Sequence, residues 1–586
     1  MKEILTGNEA IARGAYEAGC QVATAYPGTP STEILENISS YKEIYSQWSV
    51  NEKVALEVAG GAAIAGAKAL CAMKHVGLNV AADPLFTLAY TGINGGLVVV
   101  TADDPGLHSS QNEQDNRYYA LHAKVPMIEP SDSQECLDYI KYAFKLSEEY
   151  DLPVLFRVTT RVCHSKSLVT VGSRQEVGVK EYKKDVKKYC MIPGFAKMRH
   201  PVLEEKLKKL REYSNESHLN QIIWGRKGVG IITSGISYQH AREIMGDDAS
   251  YLKLGLTFPL PEKLVREFAQ SVEKLYVIEE NEPYIETFVR TLGISCIGKD
   301  VLPICGELNP EIIQKVLAPE KARKTYTVDV QVPSRPPVLC AGCPHRGVFY
   351  ALGKYKDAVI TGDIGCYSLG ILPPLNATDT LICMGAGISA GIGFEKAFMQ
   401  ANKDTKVFGV MGDSTFFHSG ITSLIDAVYN KSKLAVIILD NRTTAMTGHQ
   451  ENPGTGKTLS GDVSPVIDIK EIVKAVGVKP ENIVVVDPYD LVQTQEAVKQ
   501  AYEAVEPFVI IAKRPCALLK NTSKPRANSK CTINQAKCTK CKLCLRLGCP
   551  AIAFKNDVMV IDEAACNGCT LCIQVCKTGA VERMCK

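Results

Sequence analysis

Two groups of residues in this chain have types and spacings suited to chemistry. In the tail, Cys538, Cys541 and Cys544 form CxxCxxC with Cys549 after it, and Cys566, Cys569 and Cys572 repeat the pattern with Cys576 after it. Paired triplets of thiolates are an iron–sulfur spacing rather than a zinc spacing, so the tail predicts two [4Fe–4S] clusters, which carry single electrons. The second group lies in VMGDSTFFHSGITSLIDAVYNKSKLAVIILDNRTT. One apolar run ends at Gly412, Asp413 and Ser414, a helical stretch follows, and a second apolar run delivers Asn441. The pattern predicts strand, helix, strand. In a parallel sheet both strands would end on the same edge, which would bring Asp413 and Asn441 together. A carboxylate, an amide oxygen and a nearby backbone carbonyl suit Mg²⁺ and leave coordination positions for a diphosphate.

The elements that must position these residues are read from the rest of the chain. Its 586 residues predict roughly three to five domains. A hydrophobic content of 46% with a net charge of +3 describes globular domains and gives no reason to expect nucleic acid or an anionic membrane as partner. The N-terminus MKEILTGNEA is polar and no apolar run approaches the roughly 18 residues of a membrane span, so a cytoplasmic protein is expected. In that compartment 22 cysteines read as metal ligands rather than disulfides. Residues 1–160 read as an α/β domain with Gly- and Pro-rich turns, and 161–225 as a charged connector carrying one helix. Residues 226–320 read as a second α/β domain, 338–520 as a third, and 531–586 as the cysteine-rich tail. Glycines crowd the strand ends of the third domain in TGDIGCYSLG and MGAGISAGIGFEKA, where Gly365, Gly385, Gly387 and Gly412 would let backbone amides approach a diphosphate.

The spacing from GD to N resembles the thiamine diphosphate motif. The resemblance makes Asp413, Asn441 and the carbonyl of Thr443 the Mg²⁺ ligands, with Ser414 beside the cofactor. It also implies a glutamate at the start of a helix in the first domain, paired with the cofactor's aminopyrimidine ring. Glu52, opening the helix NEKVALEVAGGAAIAGA, fits; a solvated N-terminal glutamate is the bland alternative, and Glu57 is the second candidate in the same helix. YPGTPSTE resembles the YPITPS signature of 2-oxoacid:ferredoxin oxidoreductases, which puts Thr29 beside the substrate. Gly28 stands there in place of a bulkier residue, which reads either as extra room for an aryl side chain or as a packing difference with no functional meaning. The loop DDPGLHSSQNEQDNR offers His108, Gln111, Asn112 and Arg117, of which His108 or Arg117 is expected to hold a substrate carboxylate.

The tail resembles bacterial ferredoxins, in which the fourth cysteine of each run serves the other cluster. This implies Cys538, Cys541, Cys544 and Cys576 for one cluster and Cys566, Cys569, Cys572 and Cys549 for the other. Two departures stand out: four residues rather than three separate Cys544 from Cys549, and Lys577 replaces the usual proline. Related oxidoreductases hold a further cluster beside the thiamine cofactor, and Cys340, Cys343, Cys366 and Cys516 fall in the matching order; the alternative is four ordinary core cysteines.

Taken along its length, the chain resembles the α subunits of indolepyruvate:ferredoxin oxidoreductases. That family implies a multidomain α/β fold: two doubly wound parallel-sheet domains, a transketolase C-terminal-like domain and a ferredoxin-like α+β tail. It implies oxidation of aryl 2-oxoacids with coenzyme A to aryl-acetyl-CoA, CO₂ and reduced ferredoxin, a small β subunit, and a dimer of αβ heterodimers. Three other readings stay open: a relative with a different acyl substrate, a non-oxidative thiamine decarboxylase with structural clusters, and an electron-transfer subunit that has lost the cofactor.

Overall fold

Strands rich in Val, Ile and small residues, buried on both faces, form the centre of each parallel sheet. The computed structural model describes residues 1–321, 328–520 and 529–584, and divides the chain into two units, Met1–Val328 and Asp329–Lys586.

The first unit holds a seven-stranded sheet. Its spatial order is Leu256–Phe258, Met127–Ile128, Val154–Thr159, Leu97–Asp103, Ala69–Lys74, Val22–Ala25 and Tyr45–Trp48. All neighbours run parallel except the edge strand Leu256–Phe258. Every residue of Ala69–Lys74 and Leu97–Asp103 is buried, as expected of central strands covered by helices on both sides. A second sheet orders Lys274–Ile278, Val229–Ser234, Ser250–Leu254 and Asn220–Ile223, the last antiparallel.

The stretch expected as a charged connector does carry a long helix, Pro193–Ser214, but it also supplies strands to two sheets. Lys166–Thr170 pairs with Lys2–Thr6, and Asn220–Ile223 joins the second sheet. Leu256–Phe258, from the segment expected as a separate second domain, forms the edge of the first sheet. The Oδ1 of Asn220 accepts from the amides of Gly255 and Leu256 at 3.1 and 3.0 Å and turns the chain from one sheet to the other.

The second unit is built on six parallel strands in the order Thr380–Leu381, Val359–Gly362, Val407–Gly412, Ala435–Asp440, Phe508–Lys513 and Ile483–Val486. Alternate residues feed two cores: Ala435, Ile437 and Leu439 pack on one face, Val436 and Ile438 on the other. The tail adds two antiparallel pairs, Cys531–Ile533 with Val581–Arg583 and Ile552–Lys555 with Val558–Ile561. Its core is shared with Tyr489 and Leu491 of the preceding domain. Among the described residues no helix is long and apolar enough to cross a membrane.

Candidate active site and cysteine sets

In the second unit, Val407–Gly412 and Ala435–Asp440 are adjacent and parallel, with Gly412 opposite Leu439. Asp413 and Asn441 therefore leave the same sheet edge from neighbouring strands, and both are buried. Burial and the nearby Asp440 push the Asp413 carboxyl up to about 7. Its Oδ2 accepts from Asn452 Nδ2 at 3.1 Å. The Thr443 amide donates to Asn441 Oδ1 at 3.3 Å, and Ser414 Oγ and Thr444 Oγ1 lie 2.9 Å apart. Asp413 opens a helix whose second turn, Phe416–Gly420, is π-helical, an irregularity common at functional sites. A buried carboxyl beside a second carboxylate, with an amide oxygen at the next strand end, is the donor set of a hard cation, and these residues fit Mg²⁺.

Beside this edge, Gly385 precedes the helix Ala386–Gln400 at φ +89°, a conformation that favours glycine. A Cβ on Gly387 would stand 2.7 Å from the carbonyl oxygen of Val410, so the helix can lie on strand Val407–Gly412 only with glycine there. The amides of Gly385 and Gly387 donate to Asp363 Oδ2 at 2.7 and 3.3 Å. Burial raises the Asp363 carboxyl to about 7. The space above Gly365 and Gly412 is taken by the Tyr367 ring, so these two glycines seat Tyr367.

Several cysteines of each expected set lie close to one another in the second unit. Cys549, Cys566, Cys569 and Cys572 line one cavity together with Cys531 and Arg346. Burial, with Cys549 and Cys566 close by, pushes the Cys569 thiol up to about 11. Burial and the thiols of Cys576, Cys541 and Cys538 raise that of Cys544. In the third set, burial and the neighbouring Cys516 and Cys340 push Cys366 up to about 11, and Cys343 is raised by burial with Cys366 and Cys340 beside it. Thiols gathered this closely and partly buried would be held together as thiolates by a cation, which fits an iron cluster at each set. Among the described residues no three His, Cys, Asp or Glu side chains are grouped to hold a single metal ion. A four-iron cluster places each thiolate on a different iron, so its ligands stand wider apart than the shell of one ion.

Two residues in this region escaped the sequence reading. Cys531 is fully buried, and its amide donates to Cys566 Sγ at 3.4 Å. Arg346, in CAGCPHRG, is 2% exposed. Its Nε donates to the Cys340 carbonyl at 3.1 Å, and its Nη1 donates to the carbonyls of Leu547 and Gly548 at 2.9 and 2.5 Å. The four-residue spacing before Cys549 is thereby explained: a 3₁₀ turn over Leu543–Leu547, closed by Gly548 at φ +64°, turns these carbonyls onto Arg346.

In the first unit Glu52 opens the helix Glu52–Ala65, with Asn51 capping the amide of Val54 at 2.9 Å. Its side chain is buried against Gly77, where a Cβ would lie 2.6 Å from Glu52 Cγ. Thr29 is half-buried in a turn where the Gly28 amide donates to Thr32 Oγ1 at 3.0 Å and Ser31 Oγ donates to the Gly28 carbonyl at 2.9 Å.

Comparisons with known proteins agree with this geometry. Residues 363–512 match the thiamine pyrophosphate enzyme C-terminal TPP-binding domain, and residues 13–221 match the thiamine diphosphate-binding domain of pyruvate flavodoxin/ferredoxin oxidoreductases. Indolepyruvate oxidoreductase subunit IorA of Methanothermobacter thermautotrophicus is 43% identical, over 99% of this chain and 97% of its own. The subunits of the same name from Archaeoglobus fulgidus and Pyrococcus horikoshii are 40% and 41% identical, over 99% and 100% of this chain and 97% of each relative. The chain belongs to the indolepyruvate oxidoreductase IorA family. It is an oxidoreductase of the thiamine-dependent 2-oxoacid class.

Within this IorA-family chain the expectations for Arg117 and Gly28 need correction. Arg117 does not present its charge to a substrate. It is buried, its Nε donates to Asp115 at 2.9 Å, its Nη1 to Glu279 at 2.7 Å and its Nη2 to the carbonyls of Glu280 and Glu282 at 2.9 and 3.2 Å. It clamps the two sheets of the first unit. His108 is exposed on its loop, 3.4 Å from Glu307. The extra room expected at Gly28 is occupied, because a Cβ there would stand 2.9 Å from Lys74 Cβ. Glu57 is half-exposed and paired with Lys53, so Glu52 alone of the two glutamates is placed for a buried role.

Proposed function

We propose that this chain is the catalytic subunit of an enzyme that oxidises aryl 2-oxoacids: a 2-oxoacid, coenzyme A and two oxidised ferredoxins give an aryl-acetyl-CoA, CO₂, a proton and two reduced ferredoxins. The observation that carries the reading is the emergence of Asp413 and Asn441 from one edge of a parallel sheet, in the unit that also brings Cys549, Cys566, Cys569 and Cys572 to one cavity. Thiamine diphosphate, when bound, supplies the electron sink for loss of CO₂. Asp413, Asn441 and the Thr443 carbonyl would hold its Mg²⁺ at the strand ends beside the glycine-rich start of the helix Ala386–Gln400. Glu52, buried at a helix start, holds and returns the proton on the aminopyrimidine ring. Thr29 orients the keto acid. Cys340, Cys343, Cys366 and Cys516 would hold one [4Fe–4S] cluster and the two tail sets one each, and such clusters supply one-electron transfer toward ferredoxin. The aryl preference rests on the names of the relatives. The family reading adds a small partner subunit, an assembly of two such pairs and a cytoplasmic location.

The test is anaerobic turnover of indolepyruvate, phenylpyruvate, pyruvate and 2-oxoglutarate by the chain with its partner subunit, coenzyme A and a ferredoxin or viologen acceptor. Aryl substrates are expected to give the higher kcat/KM and an acyl-CoA product. Aldehyde formation with no need for an acceptor would instead mark a non-oxidative decarboxylase. Glu52→Gln is expected to lose at least 100-fold in kcat with unchanged iron content.

A further inference from the structure

Once Arg117 is assigned to the clamp, the first unit needs another cation at its active edge, and Lys74 stands there. It is the last residue of the strand Ala69–Lys74, at the C-terminal end of the parallel sheet where ligands of such folds bind. Its Cβ covers Gly28, one residue before Thr29, and three residues further along the chain Gly77 lies against Glu52. Lys74 thus packs on the turn that carries Thr29, and the helix that follows it packs on Glu52.

Lys74 is 8% exposed, and among the described residues its ammonium donates to a single acceptor, the carbonyl of Ser109. An ammonium has three donors, and a buried one without an anion is costly. Asp104, the carboxylate whose charge acts on it, forms no ion pair with it. Asp104 Oδ2 accepts from the Ser109 amide at 2.8 Å and from Ser110 Oγ at 2.6 Å, and Oδ1 accepts from Thr160 Oγ1 at 2.6 Å. His75, next in the chain, faces away to Asn112, its Nε2 3.1 Å from Oδ1. A planar two-oxygen anion would satisfy the remaining donors.

We infer that Lys74 receives the carboxylate of the 2-oxoacid, with Thr29 beside it, and so fixes which end of the substrate faces the reacting centre. The inference rests on the 2-oxoacid reading of the function. It explains why Gly28 must be glycine: any side chain would displace the lysine stem. Burial lowers the Lys74 ammonium to about 8, with Asp104 opposing the shift, so its charge is titratable near working pH.

The experiment uses the complete enzyme with its partner subunit. Wild-type turnover of an aryl 2-oxoacid first establishes the function itself; its absence would overturn that reading and, with it, this one. Given turnover, Lys74→Met is expected to raise KM for the 2-oxoacid at least tenfold while KM for coenzyme A and iron content stay unchanged. The inhibition constant of a 3-arylpropanoate, which keeps the carboxylate and lacks the keto group, should rise equally, whereas that of its neutral amide should not. In the unaltered enzyme the arylpropanoate should bind more weakly as pH rises through about 8, because the ammonium loses its proton there, while the amide stays flat. Lys74→Arg should move that limb to higher pH, since guanidinium keeps its charge. A carboxylate inhibitor insensitive to both pH and Lys74→Met would overturn the inference. A rise confined to the KM of coenzyme A would also overturn it, by assigning the ammonium to a phosphate. The wild-type pH dependence decides the matter even where the variants fail to fold.

Discussion

Arg117 in the first unit and Arg346 in the second are both almost wholly buried, yet they are compensated in opposite ways. Arg117 lies between the carboxylates of Asp115 and Glu279. Beside it Arg157 pairs with Asp103 at 2.7 Å and with Glu129. Opposite charges hold Arg117 well above its usual range despite burial, the signature of a network complete within the protein. Arg346 has carbonyl partners only, and burial lowers its proton affinity. The groups that oppose that shift are the thiols of Cys549, Cys343, Cys569 and Cys340. The first arginine is a structural joint. The second is a positive charge between two sets of thiols, which anionic iron–sulfur clusters on those thiols would compensate.

The largest effect expected from this contrast is on stability. Arg117→Met leaves Glu279 buried without its cation and Asp115 with only Arg157 at 3.7 Å, and should cost about 3–5 kcal/mol in the unfolding of the first unit, measured by denaturant titration. A loss below about 1 kcal/mol would show that the network is not the joint described. Arg346→Gln should leave the reconstituted iron content unchanged but make the nearest cluster about tenfold harder to reduce, a fall of about 59 mV for one electron. Electron paramagnetic resonance at controlled potential reads this directly, and unchanged potentials would remove the distinction between the two arginines.

Next comes Asp413, whose charge is also uncompensated by protein cations. Its carboxyl is raised to about 7, so a cation must displace a proton below that pH. Mg²⁺ affinity, followed by calorimetry with thiamine diphosphate present, should fall about tenfold per pH unit below 7 and level off above it. The same shift has a stability consequence of fixed sign. The folded protein without cation holds this proton more tightly than the unfolded chain does, so Asp413 favours folding at low pH and loses that contribution as pH rises from about 4 to 7. Asp413→Asn should abolish both dependences. The smallest effect is reserved for Glu57→Gln, which breaks an exposed pair with Lys53 and should change stability by less than about 0.5 kcal/mol and turnover not at all. Any large loss of activity there would reopen the choice of Glu52.

What the sequence alone determined about this protein was set by short spacings. Asp413 and Asn441 are legible because each ends an apolar run, and the right-handed crossover of parallel strands puts such ends on one edge. The tail thiols are legible because three ligands of one cluster fit within seven residues. Glu52 is legible because Asn51 and the Ala/Gly-rich run after it mark a helix start. Tertiary structure decided everything that depends on a partner distant in the chain. Arg117 sat in a polar loop that read as ligand-facing; its role follows from Glu279, 162 residues away, a pairing that no local pattern encodes. Arg346 meets Leu547 across 201 residues, and Asn452 meets Asp413 across 39. Gly28 read as room and proved to be a contact, because the space a missing side chain leaves is filled from another strand, and only the sheet's register shows that the filler is the stem of Lys74.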